Sequence, residues 1–130
     1  GAGGDQLNGG AGNDTLTGGA DADTFILNTA LGATNVDIIT DFAVGVDDLA
    51  LSLSRFASVG VVGAGLDGGE LRSGAGITTA LDADDFILYN TTTGDLYYDR
   101  DGSVATFAPV KFATLTGSPD TLATTDFIVV

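Results

Sequence analysis

Three aspartates, Asp5, Asp14 and Asp23, recur at nine-residue spacing, and each stands two residues ahead of an apolar one: Leu7, Leu16 and Phe25. The residues between them repeat as well. Residues 9–17 read Gly9-Gly10-Ala11-Gly12-Asn13-Asp14-Thr15-Leu16-Thr17, and residues 18–26 read Gly18-Gly19-Ala20-Asp21-Ala22-Asp23-Thr24-Phe25-Ile26. Residues 1–8 fit the same frame with its first glycine missing. Each copy has two halves. Glycine takes positive φ at no steric cost, so the first half turns tightly and aims its carbonyls inward. The aspartate ends the turn, and the next three residues form a short strand whose central apolar side chain points inward. Three copies with glycine, aspartate and apolar position in register are a strong signal. The alternative is a set of Gly/Asp turns that merely link strands.

Composition says what such turns attract. Acidic residues outnumber basic ones 18 to 4, for a formal charge of −14, and Glu70 is the one glutamate among them. A generic acidic surface mixes the two acids. Aspartate is preferred where a short carboxylate sits in a turn or reaches a metal from a tight loop. The charge argues for cations and against nucleic acid or anionic membrane surfaces, which need Lys and Arg. With 44% hydrophobic residues the chain is no disordered acidic tail. No apolar run is long enough for a transmembrane helix. The chain has no Cys and no His, which removes disulfides, His-ligated zinc and His-based acid–base chemistry. A small domain without disulfides often leans on a metal. The sequence opens inside a repeat, so a fragment or C-terminal piece of a longer protein is expected.

The repeat continues in altered form. After an insertion at Leu27–Leu31, Gly32–Thr40 puts Asp37 and Ile39 at the aspartate and apolar positions. Asp41, Asp47 and Asp48 follow, ahead of the strand-like Leu49-Ala50-Leu51. Asp37, Asp41 and Asp47 read as ligands or as turn and capping residues. Residues 52–85 read as irregular loops with one helical turn near Leu53–Ser58, and Asp82, Asp84 and Asp85 as solvated turn residues. From Phe86 the pattern becomes β. Phe86–Tyr89 and Leu96–Tyr98 flank a turn with Gly94 placed for positive φ, and Asp99-Arg100-Asp101-Gly102 is the next turn. It lacks the later ligands of an EF-hand loop. Strands near Val110–Leu115 and Phe127–Val130 are expected to complete an antiparallel set.

The whole chain resembles the C-terminal region of RTX proteins exported by bacterial type I secretion, notably the serralysin C-terminal domain. Residues 1–26 carry the repeat. Asp37-Ile38-Ile39-Thr40-Asp41-Phe42, with Gly45 and Asp47, resembles the family's exit segment. Residues 93–103 resemble its tail hairpin, and Asp126-Phe127-Ile128-Val129-Val130 its uncleaved export signal. The resemblance implies a parallel β-roll in which two repeats make one turn and calcium sits between loops stacked on the same side, within about six to eight oxygens.

The expected fold is therefore all-β: a roll over residues 1–51, then antiparallel strands and hairpins over 52–130, in one continuous domain. The expected metal site draws on Gly1, Gly3, Asp5, Gly10, Gly12, Asp14, Gly18, Gly19, Asp21, Asp23, Asp37, Asp41 and Asp47. Stacking pairs Asp5 with Asp23, Asp14 with Asp37, and Asp21 or Asp23 with Asp47, for two to three calcium ions. The expected role is a calcium-dependent folding and type I secretion module of an extracellular protein. Its partners would be calcium and the type I machinery. The module would be monomeric, without catalytic activity of its own. The alternative is a carbohydrate- or surface-binding module, to which Tyr89, Tyr97 and Tyr98 would contribute.

Overall fold

The computed structural model describes residues 1–59, 61–104 and 106–130. Among the described residues ten strands carry the fold. They are β1 Gln6–Leu7, β2 Thr15–Leu16, β3 Thr24–Leu27, β4 Asp37–Ile39, β5 Asp48–Leu51, β6 Leu71–Gly74, β7 Ile87–Asn90, β8 Asp95–Tyr98, β9 Val110–Leu115 and β10 Phe127–Val129. One 3-10 turn spans Thr124–Asp126. Among the described residues no helix is long and apolar enough to cross a membrane.

Alternate repeats feed alternate sheets. One sheet has the order β1-β3-β5-β10 and is parallel throughout. The other has the order β2-β4-β9-β8-β7-β6, parallel from β2 to β9 and again between β6 and β7, with antiparallel pairs at β9–β8 and β8–β7. This is the all-β roll, continued by antiparallel strands. The apolar position of each repeat stacks in register. Leu7, Phe25, Leu49 and Phe127 form one column, and Leu16, Ile39 and Leu115 the facing one. Phe25, Leu49, Ile39 and Leu115 are fully buried, each contributing about 1.5–3 kcal/mol of transfer free energy. The repeat thus builds a core because its inward residue recurs in every coil.

The structure revises the expected second half in three places. Phe127–Val129 is not part of the antiparallel set. It lies parallel to β5 in the other sheet, with Phe127 opposite Leu49 and Val129 opposite Leu51. The free edge of β5 offers its ladder and two apolar columns that Phe127 and Val129 extend, and both are buried. Val110–Leu115 is a strand as expected, but it is antiparallel to β8 on one side and parallel to β4 on the other. Both sheets of the roll are therefore closed by strands from beyond residue 51. Third, the supposed loop region contains β6. The Leu53–Ser58 segment holds two successive turns: Arg55 and Phe56 donate N–H bonds to the Ser52 carbonyl, and Val59 to the Phe56 carbonyl.

The hairpin between β7 and β8 turns at Asn90–Gly94, where the Gly94 N–H donates to the Asn90 carbonyl at 2.8 Å and Gly94 has φ +78°. A Cβ there would lie 2.1 Å from the Leu115 carbonyl oxygen, so glycine is required twice over. The next turn buries Asp99, which accepts the Asp101 N–H at 3.3 Å. Burial, and then the neighbouring Asp101 carboxylate, push the Asp99 carboxyl up to about 6. An acid whose folded value is raised contributes stability that is present below its unfolded value, about 3.9, and is lost as pH rises through its folded value. We expect calcium-saturated wild type to lose stability relative to Asp99→Asn as pH rises from about 4 to about 7. Urea midpoints across that range check this. Parallel curves for the two proteins would rule it out.

Candidate metal centre

The turns are tied to one another by a repeating hydrogen bond. The N–H of each repeat aspartate donates to the side chain of the aspartate one coil further on: Asp5 to Asp23 Oδ1 at 2.8 Å, Asp14 to Asp37 Oδ1 at 3.0 Å, and Asp23 to Asp47 Oδ1 at 2.9 Å. Two residues earlier in the loop a second series runs alongside. Gly3 donates to Asp21 Oδ2, Gly12 to Asn35 Oδ1, and Gly45 to Asp126 Oδ1. The stacking pairs read from the sequence are thus neighbours in space.

These bonds use one carboxylate oxygen each of Asp23, Asp37 and Asp47. Asp14 Oδ2 and Asp23 Oδ2 are buried and have no hydrogen-bond partner. The glycine that opens each loop packs directly on that oxygen. A Cβ at Gly18 would lie 2.3 Å from Asp23 Oδ2, and one at Gly9 2.7 Å from Asp14 Oδ2. An anionic oxygen left unpaired in a buried cradle is costly unless a cation answers it. No side chain supplies one. Residues 1–51 contain eight aspartates and neither Lys nor Arg. Burial, and to a lesser extent the charge of Asp14, raise the Asp37 carboxyl above its ordinary value, against the lowering by the Asp14 N–H. Asp48 is raised by burial and then by Asp126 and Asp47. Like charges are crowded here, as a bound cation requires and its absence penalises.

The remaining sequence-assigned residues fall into distinct roles. Gly10 and Gly19 make the first bend with φ +80° and +105°, and Gly3 and Gly12 the second with +86° and +117°. Asp21 occupies that second position with φ +76°, a conformation aspartate tolerates better than most residues. Its carboxylate holds Gly3. The Gly1 amine donates to the Gly18 carbonyl and lies 3.2 Å from Asp5. Asp41 accepts the N–H groups of Gly18 and Gly19 at 3.0 and 2.8 Å, one on each oxygen, so it anchors the turn of the preceding coil. Asp47 accepts Asp23 with one oxygen and Ala43 with the other. Asn35 and Asp126 were missed. Asn35 sits two residues before Asp37, as Asp21 does before Asp23, so the spacing alone pointed to it.

Among the described residues no three acidic side chains converge as a metal cluster. That suits a site with two carboxylates and carbonyls from two stacked turns, since hard cations accept carbonyl oxygen as readily as carboxylate. The residues therefore fit calcium. Of the three tyrosines, Tyr89 and Tyr98 are buried, which leaves a poor aromatic face for a sugar. Residues 1–29 match the family described as the RTX calcium-binding nonapeptide repeat (4 copies). No curated protein matches the chain.

Proposed function

From an N-terminal segment made of RTX calcium-binding repeats, we propose that this chain is a calcium-dependent folding and export module of a secreted protein, without catalytic activity of its own. The observation that carries this reading is the pair of buried, unpartnered carboxylate oxygens on Asp14 and Asp23, inside turns that hold no basic side chain. Two to three ions are proposed, between Asp5 and Asp23, between Asp14 and Asp37, and between Asp23 and Asp47, with carbonyls of the glycine turns completing each shell. When bound, calcium neutralises stacked carboxylates that otherwise repel. The chain's own part is to fix the turns. The aspartate N–H groups lock one coil onto the next, and the glycines keep side chains out of the cradle.

The export reading rests on the likeness of Asp126–Val130 to an export tail and on the high acidic charge. That charge favours an open chain where calcium is scarce and a closed one outside the cell, where such modules bind at about 10⁻⁴–10⁻³ M. The absence of His and Cys from the sequence supports the non-catalytic reading.

Calorimetric calcium titration tests the assignment. Asp14→Ala removes one carboxylate ligand while the backbone N–H at that position still holds Asp37, and is expected to weaken binding by at least about tenfold, or about 1.4 kcal/mol. Asp120→Ala, at an exposed position outside the turns, is expected to bind as wild type does. Equal losses in the two variants would mean that overall charge, rather than the turns, attracts the ion.

A further inference from the structure

A cavity of about 620 Å³ opens between the turn after β5 and the loop after β8, away from the calcium turns. Arg55 and Arg100 line it. They are two of only four basic residues in a chain with 18 acidic ones. The other two lie away from it: Lys111 pairs with Asp95 at 2.9 Å, and Arg72 donates to the Thr79 carbonyl at 2.6 Å. Arg100 sits over the Phe107 ring, its Cζ 3.1 Å from the ring centroid. Stacking of this kind orients a guanidinium without using any of its N–H groups. Arg55 donates its Nε to the Asn28 carbonyl at 3.3 Å, which leaves both terminal nitrogens available. Among the described residues neither guanidinium has a carboxylate partner. Asp101 lies at the same cavity, but its Oδ2 is held by the Thr106 and Phe107 N–H groups at 3.0 and 3.1 Å.

The rest of the wall does not ask for hydroxyl-rich ligands. Tyr98 Oη donates to Ser58 Oγ at 3.0 Å and accepts the Ser58 N–H, while Ser58 Oγ donates to the Arg100 carbonyl at 2.7 Å. These polar groups satisfy one another. Ser54 Oγ is bonded to Ser52 Oγ, and Asp101 keeps one buried oxygen, Oδ1, without a partner; the rest of the lining is apolar: Leu31, Ala57, Phe107, Ala108 and Val110. We propose that this cavity binds a small organic acid, one carboxylate on an aryl or branched-alkyl body. The carboxylate lies on the open guanidinium edges of Arg55 and Arg100, and the body on the Phe107 and Ala108 side. The volume falls within the range of about 300–1,000 Å³ common to small-molecule sites. A carboxylate held by guanidinium forks gains orientation as well as charge.

The test uses the calcium-saturated full chain, with backbone amide shifts followed by NMR. The probe is 4-phenylbutyrate, set against 4-phenylbutan-1-ol, which has the same skeleton without the charge, and acetate, which has the charge without the skeleton. We expect saturable shifts at Tyr98, Phe107 and Ala108 with a Kd of about 1 mM for 4-phenylbutyrate, and binding at least about tenfold weaker for each control. Arg100→Gln should weaken the acid to the level of the alcohol and leave the alcohol unchanged. Ala108→Trp, which fills the cavity and touches neither charge, should abolish both. Equal binding of acid and alcohol would overturn the proposal, as would acid binding untouched by Arg100→Gln. Shifts confined to the residue 1–51 turns, or no saturable shift, would overturn it too.

Discussion

Chelation of calcium is expected to unfold the roll or bring it close to unfolding, and millimolar calcium to restore it. The physical sum is simple. An ion that binds the native state alone adds about 2.7 kcal/mol per site when its concentration is about a hundredfold above Kd. Two to three sites then add about 5–8 kcal/mol, against a total native stability of about 5–15 kcal/mol for an ordinary domain. The same residues oppose folding when calcium is gone, because Asp14 Oδ2 and Asp23 Oδ2 are buried without a partner and Asp37 is raised by burial. The parallel sheet of β1, β3, β5 and β10 should lose its signal together with the facing column, since both share the core. Far-ultraviolet circular dichroism and thermal melts in chelator and in about 10 mM calcium, well above the extracellular range, give the measurement. A melting temperature that does not move between the two conditions would remove calcium from the folding of this chain.

The second large effect is expected from the last strand. Phe127 is 2% exposed and caps the column that runs through Leu7, Phe25 and Leu49. Phe127→Ala should cost about 3–5 kcal/mol, because truncating a buried aromatic adds a cavity to the lost transfer energy. Val130→Ala, at an exposed end residue, should change stability by less than about 0.5 kcal/mol. Denaturant titration in saturating calcium compares them, and a Phe127→Ala loss below about 1 kcal/mol would mean that β10 is only loosely attached. The pairing also alters how an export role must be tested. Removing Asp126–Val130 from the full chain strips the edge of β5 and frees the Gly45 N–H, so calcium binding would suffer together with transport. A passenger carrying residues 75–130 lacks β5, and there the tail is unpaired. Export of that fusion by a type I transporter, lost when the tail is removed, reports on the tail as a signal. Undiminished export would leave it a structural strand.

What the sequence disclosed and what it withheld divide along one line. The roll was legible because its information is local and periodic. Aspartate, glycine and apolar positions recur at fixed intervals, so the column through Leu7 and Phe25 and the pairings of Asp5 with Asp23 and Asp14 with Asp37 followed from counting. The partner of β10 was not legible. Phe127-Ile128-Val129 reads as a strand, but a strand's neighbour is chosen by which edge stands open in three dimensions, and that edge lies in β5. β6 was hidden for another reason. Leu71-Arg72-Ser73-Gly74 has one apolar residue and ends in glycine, so it shows no alternation, and it is a strand because β7 offers a parallel ladder beside it. Asp126 escaped for the same reason as β10, since the Gly45 N–H it accepts lies far back in the chain. Asp41 was legible as an acid of the exit segment, yet its hydrogen-bond partners were not. Its two oxygens accept the Gly18 and Gly19 N–H groups, a pairing set by how the coils stack.

The two sheets of the roll are closed beyond β4 and β5 by β9 and β10, strands that come from far along the chain. A solenoid closed in this way resists lengthening at that end. A coil of eighteen residues, the spacing from Asp5 to Asp23, inserted after β5 would have to part ladders already joined, Leu49 from Phe127 and Leu51 from Val129, and is expected to be rejected.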